Sequence, residues 1–137
     1  MEYRTSMKVR FAHCDPAGIV FYPRYFEMLN SVVEDWFAEE LGADFASLHL
    51  DRHLGVPTVR LETEFSAPSR LGDILDAALS VQKVGTSSCA VRVVFASGGE
   101  QRLAVSLVLV AIDMRTGKSQ PWPADLREAL AAAGAPA

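Results

Sequence analysis

The order of apolar patterns along this chain predicts an α+β protein in which one long helix lies across an antiparallel sheet. Two observations carry that expectation. Residues 23–41 repeat apolar side chains at spacings of three and four, the period of a single helical face. The second half then falls into strand-length apolar segments divided by glycine-bearing turns. A helix with one apolar stripe, followed by antiparallel strands, buries that stripe by crossing the apolar face of the sheet.

Taken in order, residues 6–13 hold the extended-looking stretch MKVRFAH, and the DPAG that follows supplies turn chemistry. Pro23 suits the first turn of a helix, where its missing N–H would be unpaired anyway. Tyr25, Phe26, Leu29, Val32, Val33, Trp36, Phe37 and Leu41 then form the stripe. Glu27, Glu34, Asp35, Glu39 and Glu40 take the other faces, and Gly42 closes the helix. DFASLHLDRHLG is expected to be a loop with a short helical turn. VPTVRLETEFSAP alternates, placing Val59, Leu61, Thr63 and Phe65 on one side. Strands are predicted at 74–84, 88–96 and 103–113, with turns at Gly72-Asp73, Val84-Gly85-Thr86 and Gly98-Gly99. The last strand is apolar on both faces, which places it inside the sheet. A short helix is expected after Pro121 and Pro123.

Composition bounds the function. The chain has 137 residues, half of them apolar, enough for one substantial core, whereas two domains would each be marginal. One domain over residues 1–137 is expected. Thirteen basic against seventeen acidic residues give a net charge of −4 with no basic run, which argues against a nucleic-acid partner. MEYRTSMKVR lacks the apolar stretch of a signal peptide. The most apolar run, LAVSLVLVAI, is about half the ~20 residues of a membrane helix, so a cytoplasmic protein without membrane association is expected. Cys14 and Cys89 are too few for a disulfide framework and lack metal-ligand spacing, in keeping with a reducing compartment.

The chemistry concentrates in HCDPAGIVFYPR, residues 13–24. Asp15 sits among Ile19, Val20, Phe21 and Tyr22, where desolvating a carboxylate is costly unless something compensates. One reading has Asp15 accept backbone N–H groups in an Asx turn and shape the loop. The other makes it a working carboxylate. The backbone N–H groups of Tyr22 and its neighbours lie at the positive end of the long helix, where negative charge is favoured. Gly18, having no Cβ, permits a close approach of backbone and ligand.

This stretch, CDPAGIVFYPRYFEML, resembles the motif of the hotdog-fold acyl-CoA thioesterases of the 4-hydroxybenzoyl-CoA thioesterase family in its Asp, Gly, aromatic pair, Pro and following Tyr. The element order is similar over nearly the whole chain. The resemblance implies a hotdog fold, an antiparallel sheet wrapped around the long central helix. It implies hydrolysis of an acyl-CoA with no metal or cofactor, with Asp15 as the catalytic carboxylate and the Tyr22 N–H as main oxyanion donor. Asp15 would attack the thioester to form an anhydride, or activate water as general base; the sequence leaves both routes open. It further implies a homodimer with the site at the subunit interface, and commonly a homotetramer.

Gly18, Phe21, Tyr25 and Asn30 are the candidate substrate-binding residues, with the Phe21, Tyr25 and Phe26 rings mostly core and one lining an acyl pocket. Asn30 stands early in the helix, where family members acting on hydroxylated aryl groups are expected to carry a polar or acidic residue; that this residue is Asn30 rather than a carboxylate weighs against a para-hydroxybenzoyl substrate. His13 shares a side with Asp15 if the strand persists, and Cys14 reads as packing. His49 and His53, four apart, lack a third metal ligand. Glu62 and Glu64 read as solvated. Arg70, Lys83, Arg92, Lys118 and Arg127 are scattered candidates for the phosphates of coenzyme A. An aryl-CoA is the favoured substrate, a short aliphatic acyl-CoA the alternative, and a non-catalytic acyl-CoA or acyl-carrier binding protein the alternative from another class.

Overall fold

The computed structural model describes residues 2–135. Its centre is α1, Pro23–Glu39, which starts where the proline dictates: Pro23 occupies the first turn and Tyr22 already has helical angles (φ −53°, ψ −34°). Gly42, at φ +69°, takes the left-handed conformation that lets the chain leave the helix. Tyr25, Met28, Leu29, Val32, Val33, Trp36 and Phe37 form the buried face. Each such side chain removed from water stabilises the fold by about 1.5–3 kcal/mol before entropy is counted.

The helix shares one apolar cluster with a five-stranded antiparallel sheet. Its strands are β1 (Glu2–Lys8), β3 (Thr58–Phe65), β4 (Ile74–Val84), β5 (Ser88–Ser97) and β6 (Glu100–Val110), in the order β1-β4-β5-β6-β3. Alternate residues face the helix: Leu75, Ala77 and Leu79 of β4, Val91, Val93 and Phe95 of β5, and Leu103, Val105, Leu107 and Leu109 of β6 are all buried. The register stacks them, with Leu79 opposite Val93 and Val93 opposite Val105. A small sheet of β2 (Leu54–Gly55), β7 (Ile112–Asp113) and β8 (Lys118–Ser119) lies beside it. Helix α2, Ala124–Ala133, buries Leu126 and Leu130 and packs on β4. No described helix is long and apolar enough to cross a membrane.

Three boundaries differ from expectation. The first strand is Glu2–Lys8, and Phe11–His13 is a 3-10 turn rather than its continuation. The strand is mostly polar because it is an edge, burying only Tyr3. The tight turn at Gly98-Gly99 lets β5 and β6 run to Ser97 and Glu100. The predicted last strand breaks at the buried Ala111, where the chain passes from the large sheet into the small one. Residues 44–55 contain a π-helical turn, Ser47–Asp51. As expected, β6 lies inside the sheet, between β5 and β3.

β3 is the second edge. Its register places Leu61, Thr63 and Phe65 opposite Leu107, Val105 and Leu103, on the helix-facing side, after a bulge between Thr58 and Arg60. Even so, Val59, Leu61 and Phe65 remain 60%, 40% and 50% exposed. Tyr3 of the opposite edge donates to Glu39 Oε2 at the end of α1 (2.5 Å), and burial together with that carboxylate pushes its phenol up to about 12.

Candidate active site

The loop between the 3-10 turn and α1 closes on itself. Asp15 N–H donates to Ile19 O (3.0 Å), Gly18 N–H to Asp15 O (2.9 Å) and Phe21 N–H to His13 O (2.9 Å). The half-buried Asp15 carboxylate accepts the Ala17 N–H on Oδ1 (2.9 Å), so the Asx turn is present. Its other oxygen has no partner among the described residues. Shaping the loop thus occupies one oxygen and leaves the second open to a ligand. Gly18 is required by its φ of +79°; a Cβ there would meet nothing within 4 Å, so backbone conformation rather than crowding selects glycine.

The helix entrance offers fewer donors than the sequence suggests. Pro23 has none, Phe21 N–H is spent on His13 O, Arg24 N–H on Phe21 O (2.8 Å) and Tyr25 N–H on Tyr22 O (3.2 Å). The Tyr22 N–H has no acceptor among the described residues. It stands at the positive end of a 17-residue helix, seven positions after Asp15.

Tyr22 and Tyr25 line a cleft of about 340 Å³ with Ile19, Val20, Phe65 and Pro68. Phe65 meets Tyr22 edge-on at 6.3 Å and Tyr25 at 6.0 Å. Phe21 packs edge-on against Tyr22 (5.7 Å), outside the cleft lining. Asn30 lies elsewhere, roughly 12 Å further along the helix. It lines a second cleft of about 440 Å³ with Glu34, Phe45, Val56 and Thr58, beside the β3 edge.

The remaining candidates separate. His13 accepts the Arg10 N–H on Nδ1 (2.8 Å) within the 3-10 turn, so the shared strand face with Asp15 is not realised. Cys14 is half-buried and packs against the core, and burial pushes the Cys89 thiol up to about 12. His49 Nδ1 lies 2.8 Å from Phe45 O with its ring against Phe45, and His53 sits at φ +52°. Among the described residues no group of three His, Cys, Asp or Glu side chains is placed to hold a metal. Glu62 and Glu64 are exposed, and Glu62 pairs with Arg60 (2.6 Å). Of the five cations, Arg70 adjoins the Asp15 loop, its backbone bridged to Ile19; Lys83, Arg92, Lys118 and Arg127 sit on β4, β5, β8 and α2.

Two supporting residues escaped the sequence reading. Ser69, fully buried, accepts the Val20 N–H on its backbone oxygen and the Tyr25 hydroxyl on Oγ, both at 2.9 Å. Arg102 of β6 donates from Nη1 to Pro68 O (2.9 Å) and Asp73 Oδ2 (2.8 Å), and its own backbone oxygen accepts Ser66 N–H (2.8 Å). No local pattern in SAPSRLGD, or in the EQRL around Arg102, announces either role.

Asp73 carries a pH dependence. The Arg70 N–H, and after it the Arg102 guanidinium, hold its carboxyl below the ordinary carboxylate range. A depressed folded-state value means stability that is complete above the unfolded value, about 4, and is lost as pH falls through the lower folded value. Asp73→Asn is therefore expected to be less stable than the parent at neutral pH and to converge with it towards about pH 2 in urea titrations. A constant gap down to that pH would count against the assignment.

Comparisons with known proteins agree with this architecture. Residues 9–130 match the Thioesterase-like superfamily. A 1,4-dihydroxy-2-naphthoyl-CoA hydrolase of Thermosynechococcus vestitus is 28% identical over 98 residues, 72% of this chain and 66% of that protein. A gentisyl-coenzyme A thioesterase structure superposes with a TM-score of 0.83 at 25% identity, over 91% of this chain and 99% of that one. A 1,4-dihydroxy-2-naphthoyl-CoA thioesterase from Synechocystis has a TM-score of 0.88 at 19% identity, over 99% of this chain and all of the other, a likeness of fold. With the family matched across most of its length and the long helix held against an antiparallel sheet, the chain belongs to the thioesterase-like superfamily and has the hotdog fold.

Proposed function

We propose that this thioester hydrolase cleaves an acyl-CoA, with an aryl thioester favoured, to the free acid and coenzyme A. The observation that carries the reading is the unengaged N–H of Tyr22 at the start of α1, a residue that lines an aromatic-walled cleft and follows the open oxygen of Asp15 by seven positions in the same loop. A thioester carbonyl placed against that N–H gains hydrogen-bond strength as its oxygen becomes anionic, which lowers the barrier rather than merely tightening binding. Asp15 supplies the other half. It either takes a proton from the attacking water or attacks the carbonyl carbon itself, and the thiolate of coenzyme A departs from the tetrahedral intermediate; on the second route water then hydrolyses the acyl–Asp15 anhydride, releasing the acid and restoring the carboxylate.

The aryl preference rests on two supports: the Tyr22, Tyr25 and Phe65 rings around the cleft, and the aryl-CoA substrates named for the relatives. Asn30 does not share that cleft within one chain. Its own cleft opens beside β3, where a second copy paired edge to edge would close it and form a continuous sheet. Exposed apolar residues on an unpaired edge favour such pairing. A dimer with shared sites, and two dimers as a tetramer, therefore belong to this proposal, as does a cytoplasmic setting where acyl-CoA is found.

A panel of aryl and short aliphatic acyl-CoA thioesters, read by free-thiol release, tests it. Turnover is expected on aryl thioesters with no added metal, because a carboxylate and an N–H suffice. Turnover restricted to aliphatic substrates would overturn the aryl assignment, and binding without release would overturn catalysis. Activity abolished by a chelator and restored by zinc would return attention to His49 and His53.

A further inference from the structure

We infer that Ser69 is a positioning residue for the thioester chemistry, fixing the spacing between the Asp15 loop and the Tyr22 N–H. The inference rests on the roles proposed above for those two groups. Internal hydrogen bonds give the Asp15 loop its shape, but they do not tie it to the body of the protein. Beside the packing of Val20 and Cys14 on the core, its hydrogen-bonded tie comes from the Ser69–Arg70 segment: Ser69 O accepts the Val20 N–H, and Arg70 bridges Ile19. The Ser69 hydroxyl then reaches Tyr25 in the first turn of α1, whose own N–H donates to Tyr22 O. One buried residue thus holds the carboxylate-bearing loop through its backbone and the oxyanion-binding turn through its side chain.

Burial gives this link its strength. Ser69 is 0% exposed and is the one buried polar residue among those described, while Tyr25 is 4% exposed. No water competes for their hydrogen bond, and losing either partner leaves the other unsatisfied. Arg102 in turn braces the segment from the sheet, holding Pro68 O and Asp73. The Tyr25 hydroxyl proton is engaged here rather than offered to a ligand. A displacement of about 1 Å at a reacting centre costs up to ~100-fold in rate, so a loosened loop is read in kcat before KM.

Ser69→Ala and Tyr25→Phe remove the same hydrogen bond from opposite sides, the second with little change of volume. Each is expected to lower kcat about 10- to 100-fold on an aryl-CoA, with KM within about twofold. The double variant is expected to be no slower than the slower single one, because both delete one link. Circular dichroism and melting curves are measured for each, and rates are taken per folded molecule. Should Ser69→Ala fail to fold, Tyr25→Phe carries the test alone. Full kcat in folded Tyr25→Phe, multiplicative losses in the double variant, or a loss confined to KM would each overturn the positioning role. Asp15→Asn, assayed alongside, separates the two ideas. If it is inactive while Tyr25→Phe is fully active, the positioning role alone fails; if Asp15→Asn keeps its turnover, the proposed mechanism fails.

Discussion

Asp15→Asn is expected to slow the chemical step at least ~100-fold, the low end for a positioned acid–base or nucleophilic group, while leaving the fold intact. The hydrogen bonds around the residue make this a clean substitution. Asp15 Oδ1 accepts the Ala17 N–H, and the carboxamide oxygen of asparagine can accept the same bond, so the Asx turn survives. What disappears is the second, open oxygen with its negative charge, which alone can take a proton or attack the thioester. The melting temperature should stay within a few degrees of the parent, because neither a cap nor a buried partner is lost. A variant that melts early but turns over normally per folded molecule would mean that Asp15 only shapes its loop.

Placing a charge in the middle of the β3 edge should have the next largest effect. Leu61 is 40% exposed in the single chain and lies on the helix-facing side of the strand, opposite Leu107. Leu61→Lys is harmless to a monomer, whose lysine would reach water. In a dimer paired along β3 it desolvates an unpaired ammonium, and a penalty of about 3 kcal/mol weakens association roughly 100-fold. Light scattering across a dilution series should show the variant dissociating where the parent does not, with activity lost in parallel. Wild-type turnover from a Leu61→Lys monomer would refute the shared site. Phe65 is less suited to this experiment because its ring also lines the Tyr22 cleft.

The residues that could be read in advance are those whose roles are local. Pro23 marks the start of α1, and the spacing from Tyr25 to Phe37 marks its buried face, because a proline and a 3.6-residue period act within one segment. The strand 74–84 was equally legible from the turns that flank it. β1 was misplaced for the converse reason: as an edge strand it needs little apolar content, whereas MKVRFAH next to it looks extended but includes Phe11, 83% exposed in a 3-10 turn. The alternation of β3 told which side Leu61 and Phe65 share, but not that the strand would lie beyond the helix. For the proposed site, Asp15, Gly18 and Tyr22 sit within eight consecutive residues and stood out together as candidates. Ser69 did not, because its hydroxyl partner is 44 residues away and only the folded chain brings them into contact. Asn30 shares a helix with Tyr25 yet opens into another cleft, since the two lie on different turns and meet different neighbours.

The two ends of the sheet differ in a way that bears on how far association can run. β3 offers Val59, Leu61 and Phe65, while β1 presents Glu2, Arg4 and Lys8 at exposed alternate positions. If β1 of one molecule suited β3 of the next, each union would leave a fresh pair of ends and the chain of sheets would grow without limit into a filament. Pairing β3 with its own copy about a two-fold axis consumes both sticky ends at once and turns two charged ones outward. The bulge between Thr58 and Arg60 shortens the regular ladder on offer to a newcomer. The unlike chemistry of its two rims thus favours a closed, finite particle over an open-ended fibre.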